Sequence, residues 1–317
     1  MTPRKPKTDQ KRLPKKSRAK KPPCFQITDR DILLVKAVLN YRFLTVNQFF
    51  MMFPESSKQG IQNRLRLLYH NRYLDRINLV GTQSKLIYSL TEKGAKLLAE
   101  SDGVSRDQIT WQRHLNKVGD SHIKHLLSIN DLIISLELSL AKAKDRGQVD
   151  IFKVLHGNPD QHRISVTLRD QSGARFDKSV IPDAILGIKF RGGEFGLFFI
   201  EVDRATMSAT RWQDKIIVYH EYARSSELRR RFKTGWFIVL TVTTSDKRIL
   251  NLAERTVAFG GKRGFWYTTA DKVRPESILK PVWVRASDLY SIRNEHTYLI
   301  ADFRKSDKVS VFDSVRG

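Results

Sequence analysis

Residues 181–204 read IPDAILGIKFRGGEFGLFFIEVDR: two apolar runs around Arg-Gly-Gly, the second running straight into Glu-Val-Asp-Arg. Runs rich in aromatic and β-branched residues on either side of a glycine-rich break predict a β-hairpin. If Arg191, Gly192 and Gly193 form the loop, Phe190 pairs with Glu194 and, counting back along both strands, Asp183 falls opposite Glu201. Directly opposed residues share a face of the sheet, and Asp203, two positions along, shares it too. The register therefore gathers three carboxylates, Asp183, Glu201 and Asp203. A two-residue loop would instead set Asp183 opposite Val202 and disperse them. Like charges at that spacing need neutralising. A divalent cation on oxygen ligands, Mg2+ or Mn2+, is one answer. An ion network with Arg204, Arg211 and Lys215 is the other.

The flanking segments extend the hairpin into a mixed α/β sandwich. Upstream, SHIKHLLSINDLIISLELSLAKAKDRG carries the apolar spacing of a long amphipathic helix. VDIFKVLH and HRISVTLR read as strands, SATRWQDKIIVYHEYARSSELRRRF as a long helix, and GWFIVLTVT as a strong apolar strand. A helix over 245–258 and the short strand GFWYTT complete the order. Strands alternating with helices over residues 118–285 imply an α/β layer architecture. Residues 286–317, including YLIADFRKSDKVSVFD, form a C-terminal extension that adds an edge strand or meets a partner.

Residues 25–100 have a different texture. Thr28 precedes an apolar-periodic run over 29–40, Thr45 precedes LTVNQFFMMF's short helix, and Ser56 or Ser57 precedes a third helix. Ile61, Leu65, Leu68 and Tyr69 stripe that third helix at core spacing. LDRINLVGTQSKLIYSL then reads as two short strands joined near Gly81-Thr82, and TEKGAKLLAE as a closing helix. Three helices and a hairpin predict a winged helix-turn-helix, whose third helix enters the major groove of double-stranded DNA while the hairpin follows the backbone. Lys58, Gln59, Gln62, Asn63 and Arg66 occupy the face away from the core stripe, and Arg, Asn and Gln are the side chains that pair with base edges. Arg72, Arg76 and Lys85 are placed to meet phosphates. Such domains also serve as protein-protein modules, and they often work as dimers, so a second copy of the chain is an expected partner. Residues 101–117, without sustained periodicity, read as a linker.

The charge agrees with a nucleic-acid partner. In 317 residues there are 57 Lys and Arg against 33 Asp and Glu, a net +24. Residues 1–24 concentrate ten of those cations against one Asp and read as a disordered phosphate-binding arm. No stretch is apolar enough for a signal peptide or a membrane span, so the expected location is cytoplasmic, on nucleoid or plasmid. The single cysteine, Cys24, excludes an internal disulfide and a multi-cysteine zinc site. His122 and His125 are three apart on a helix with no third ligand in view, and read as surface histidines.

Pro-Asp at a strand start, then a strand ending in Glu-x-charged within this element order, resembles the PD-(D/E)XK nuclease superfamily. PDA followed by FFIEVDRAT and a helix bearing KIIVYHEY, behind a winged helix, is similar to the replication-relaxation protein family of bacterial plasmids and other mobile elements. The resemblance runs over residues 27–270. It implies that Asp183 and Glu201 bind the metal, and that Asp203 stands where the superfamily has its lysine. Lys215, on the following helix, is then the substitute lysine, Arg204 a second stabiliser of phosphate charge, and Asp131 and Glu137 outer acidic residues. Two functions are implied. One is a metal-dependent endonuclease or nickase; the other is a non-catalytic DNA-binding replication or transcription factor on a degenerate nuclease-like scaffold.

Overall fold

The computed structural model describes residues 13–14, 17–79, 86–261 and 263–289. The chain divides into two compact units, Met1–Asp120 and Ser121–Gly317.

The first unit runs α1 (Asp29–Tyr41), β1 (Phe43–Thr45), α2 (Val46–Met52), α3 (Lys58–His70), β2 (Leu74–Ile77), β3 (Ile87–Leu90) and α4 (Glu92–Asp102). Three of the four helices begin where a hydroxyl satisfies a free N–H group. Thr45 accepts from Gln48 N–H, Ser57 from Gly60 N–H and Thr91 from Gly94 N–H. β1 was not expected; it pairs with β3, making a three-stranded antiparallel sheet in the order β1-β3-β2. Gly81, Thr82 and Lys85 lie outside the described residues.

Asp31 ties this unit together. It is fully buried, accepts from the Thr28 N–H (2.9 Å) and hydroxyl (2.7 Å), and pairs with Arg64 of α3, Nε to Oδ1 at 2.8 Å. Removing one partner of a buried pair strands the other, at a cost of about 3 kcal/mol. Asp31→Ala should therefore lower the denaturation midpoint of this unit by a corresponding amount, measured by urea unfolding; an unchanged midpoint would contradict the reading.

Two segments depart from their expected looseness. Residues 17–24, assigned to a disordered arm, lie on this unit. Arg18 donates to the Leu74 carbonyl (3.0 Å) and rests 4.3 Å from the Tyr69 ring centre, and the Ala19 N–H donates to His70 Nδ1 (3.1 Å). The cation–π contact and these bonds supply the ordering energy that composition alone does not reveal. Within 101–117, the turns Arg106–Gln108 and Arg113–Asn116 flank a buried Trp111. Arg106 pairs with Glu92, and Asn116 donates to the Leu90 carbonyl (2.8 Å).

The second unit opens with α5 (Asp120–Asp145), then β4 (Val149–His156), the short α6 (Pro159–His162), β5 (Ile164–Arg169), β6 (Arg175–Val180), β7 (Ala184–Phe190) and β8 (Phe195–Val202). It continues through α7 (Ala209–Arg224), α8 (Ser226–Phe232), β9 (Ile238–Thr243), α9 (Asp246–Ala258), β10 (Phe265–Thr269) and β11 (Val284–Arg285). Six strands form one mixed sheet, β11-β10-β9-β8-β7-β4, with β8, β9 and β10 parallel; β5 and β6 form a separate hairpin. The expected long helix over 208–232 is broken at Ser225, whose extended backbone ends α7 and whose hydroxyl caps α8. β6 and β11 were missed: β6 is too polar to show a strand pattern, and β11 is only two residues long.

One face of the sheet, with Ile185, Leu197, Phe199, Val239 and Tyr267, packs against Trp212, Ile216 and Tyr219 of α7 and Ile249 and Leu252 of α9. Trp212 Nε1 donates to Thr256 Oγ1 (3.0 Å), tying α7 to α9. The opposite face, including Leu186, Phe198 and Ile200, is equally buried. Residues 290–317, and with them the YLIADFRKSDKVSVFD segment, lie outside the described residues. Among the described residues no helix is long and apolar enough to cross a membrane.

Candidate functional site

The hairpin has the register that a three-residue loop dictates: Phe190 N–H donates to the Glu194 carbonyl, Ile185 faces Phe199 and Ala184 faces Ile200. The ladder ends there. The next backbone bond runs from Asp183 N–H to the Ile200 carbonyl (2.9 Å), so Asp183 does not take the regular place opposite Glu201. Its carboxylate turns along the strand end instead, accepting from Val202 N–H at 2.7 Å, with His125 Nε2 3.2 Å from its other oxygen. Buried His162 lies close to the backbone of Pro182, the residue before Asp183.

Glu201, one residue from the end of β8, lies on the face covered by α7 and is fully buried. Lys215 and Tyr219, one helical turn apart on α7, reach its two oxygens: Lys215 Nζ pairs with Oε2, and the Tyr219 hydroxyl donates to Oε1 at 2.6 Å. Burial pushes the Glu201 carboxyl above its ordinary range, while the Lys215 charge holds it down and Asp183 raises it further. Burial, then the Glu201 charge, pushes the Tyr219 phenol well up as well, so it stays a hydrogen-bond donor.

Asp203 departs from the expected cluster. Thr243 at the end of β9 donates to its Oδ2 (2.9 Å), and Arg248 of α9 pairs with the same carboxylate, Nε to Oδ2 at 2.7 Å. Arg248 also donates to the Met207 carbonyl (2.8 Å), closing a loop in which Ala205 holds a left-handed backbone, φ 61°. Arg248, forty-five residues from Asp203, and not Arg204 or Arg211, neutralises it.

An open cleft of about 430 Å³ lies at this strand end, lined among others by His125, Asp183, Glu201, Arg204, Arg211 and Lys215. Arg204 donates to the Ser121 carbonyl (3.1 Å), while Arg211 is exposed at the rim. Asp131 and Glu137 do not line it. Among the described residues no group of three or more His, Cys, Asp or Glu side chains could hold a metal ion, so the three-carboxylate centre is not assembled. The oxygen donors that line the cleft and suit a hard divalent cation are Asp183 and Glu201. His125 and Tyr219 were not expected to act here. Tyr219 carried a usable signal, four residues after Lys215 and hence on the same helix face; His125 carried none.

In the first unit, α3 buries Ile61, Leu65, Leu68 and Tyr69 and exposes Lys58, Gln59, Gln62 and Arg66. Gln59 donates to Asn63 (3.1 Å), holding two of the polar side chains in register. Arg72 is exposed with a left-handed backbone, φ 67°. Arg76 packs its guanidinium 4.1 Å from the Tyr69 ring centre and 5.4 Å from that of Tyr88. It is held by aromatic rings rather than extended toward solvent.

A family model described as replication-relaxation matches residues 36–237. The chain belongs to the replication-relaxation family. The match spans α3, the hairpin with Asp183 and Glu201, and Lys215, and it ends before Arg248. Membership assigns the chain a role in replication or relaxation. No curated protein and no solved structure matches it significantly.

Proposed function

We propose that this replication-relaxation protein binds double-stranded DNA of a plasmid or other mobile element through a winged helix in its first unit and acts on a DNA phosphodiester in the cleft of its second. The observation that carries the reading is the convergence of Asp183, Glu201 and Lys215 on one open cleft rimmed by Arg204 and Arg211. Asp183 and Glu201 are the side chains that would hold Mg2+ or Mn2+, whose chemistry is to lower the pKa of a bound water and offset phosphate charge. Arg204 and Arg211 bind the phosphates flanking the scissile bond. Lys215 stabilises charge that develops on the scissile phosphate. Tyr219 orients Glu201, and His125 with the Val202 N–H orients Asp183. The protein works in the cytoplasm on nucleoid or plasmid DNA.

A second reading, a binding factor without catalysis, is favoured by one observation: each of the three carboxylates already faces a basic side chain, His125, Lys215 or Arg248. A supercoiled plasmid separates the two, since a nuclease relaxes it and a factor that only binds does not.

The DNA-binding half of the proposal is tested by titrating duplex fragments at several salt concentrations. Each phosphate contact contributes about 0.9 to the slope of log affinity against log salt. Lys58→Ala combined with Arg66→Ala should weaken duplex binding about ten-fold and flatten that slope by one to two such increments. An unchanged slope and affinity would remove α3 from the interface.

A further inference from the structure

The turn entering β9 lies at the other end of the sheet from the cleft. Because β8 and β9 run parallel, with Glu201 beside Thr241, Trp236 stands roughly 17 Å back along the strands from Glu201 at about 3.3 Å per residue. Four features meet there. Lys233 ends α8 in a left-handed conformation, φ 57°, a place that glycine usually fills. The Thr234 hydroxyl bonds both the N–H and the carbonyl of Trp236 (3.4 and 3.3 Å), fixing the turn. Arg229 lies over Gly235, where a Cβ would come within 3.3 Å of its Nε. Phe232 and Phe237, on either side of the turn in sequence, pack against Phe199 at 5.8 and 4.6 Å between ring centres and give it a rigid floor.

Trp236 is 38% exposed, while Trp111, Trp212, Trp266 and Trp283 are buried. The parallel register of β10 with β9 places exposed Arg263 beside Phe237. Among the described residues, Arg229, Lys233 and Arg263 have no acidic partner, whereas Arg230 pairs with Glu227. Cations in the last turn of α8 would offset the partial negative charge of its C-terminus. That accounts for the arginines but not for an indole held open among them.

We infer that this turn is a binding site for single-stranded DNA. The indole of Trp236 stacks on an unpaired base, and Arg229, Lys233 and Arg263 neutralise the neighbouring phosphates. An aromatic face with flanking cations suits single strands, whose bases expose their π-faces; a duplex hides them. The inference rests on neither the α3 interface nor the chemistry of the cleft.

The distribution of tryptophans makes the test selective. With the other four buried, quenching of intrinsic fluorescence in the full chain by a dT oligonucleotide reports on Trp236. The oligonucleotide is expected to quench the emission as it binds. Trp236→Ala should weaken its affinity about ten-fold, Trp236→Phe should restore most of the loss, and neither should change duplex affinity. Arg66→Ala should show the reverse pattern, weakening duplex and sparing single strands. Unchanged melting temperatures establish that the Trp236 variants fold. Oligonucleotide binding without quenching, or equal affinity in Trp236→Ala, would overturn the assignment.

Discussion

Lys215→Met is expected to destabilise the second unit by about 3–5 kcal/mol at neutral pH, because it strands a buried carboxylate. Glu201 is fully buried and Lys215 is largely so, with 13% of its side chain exposed. Burial raises the Glu201 pKa, and the Lys215 charge is the strongest influence holding it down. Without that charge the folded-state pKa climbs further above the unfolded value. A carboxyl shifted upward stabilises the fold below its unfolded pKa, and that stability is lost as pH rises through the folded one. The deficit of Lys215→Met should therefore be small in acid, within the ordinary carboxylate range, and grow as pH rises to neutrality. Urea unfolding of wild type and variant at both ends of that window measures it. A deficit independent of pH would mean that Glu201 is not the group Lys215 compensates.

The second large effect separates Glu201 from Asp203, which the sequence pattern places in one role. Glu201→Gln keeps the shape and an acceptor for Tyr219 but removes the charge at the cleft. It should abolish cleavage, a fall of at least about 100-fold. Asp203→Asn loses its charge pairing with Arg248 and weakens the loop that carries Arg204. It should lower the melting temperature while leaving cleavage, measured below that temperature, within about ten-fold of wild type. Equal losses of cleavage in both variants, at equal stability, would return Asp203 to the catalytic group.

The contrast shows what the sequence carries and what it does not. The register of the hairpin was legible because Arg-Gly-Gly permits few loops, and period-two alternation then transmits the pairing along both strands. Glu201 and Lys215 were legible together, since a lysine on the next helix is a short-range partner. The end of the ladder was only half legible: Pro182, which has no N–H to give, marks where pairing stops, but it does not tell that one backbone bond from Asp183 to Ile200 replaces the regular pair with Glu201. Arg248 and His125 reach the site across forty-five and fifty-eight residues, distances at which spacing says nothing. The helix caps Thr45, Ser57 and Thr91 were readable because capping is local chemistry. The packing of residues 17–24 on Tyr69 and His70 was not, because a composition rich in lysine and arginine gives no hint of the ring it will meet.

The most direct test of the account is relaxation of a supercoiled plasmid by the full chain with Mg2+ or Mn2+, beside a chelated control and Glu201→Gln. The account predicts relaxed product that requires the divalent ion and disappears in the variant. A plasmid that stays supercoiled under every condition, while duplex binding remains salt-dependent and tight, would contradict cleavage and leave the cleft as a binding surface closed by its own ion pairs.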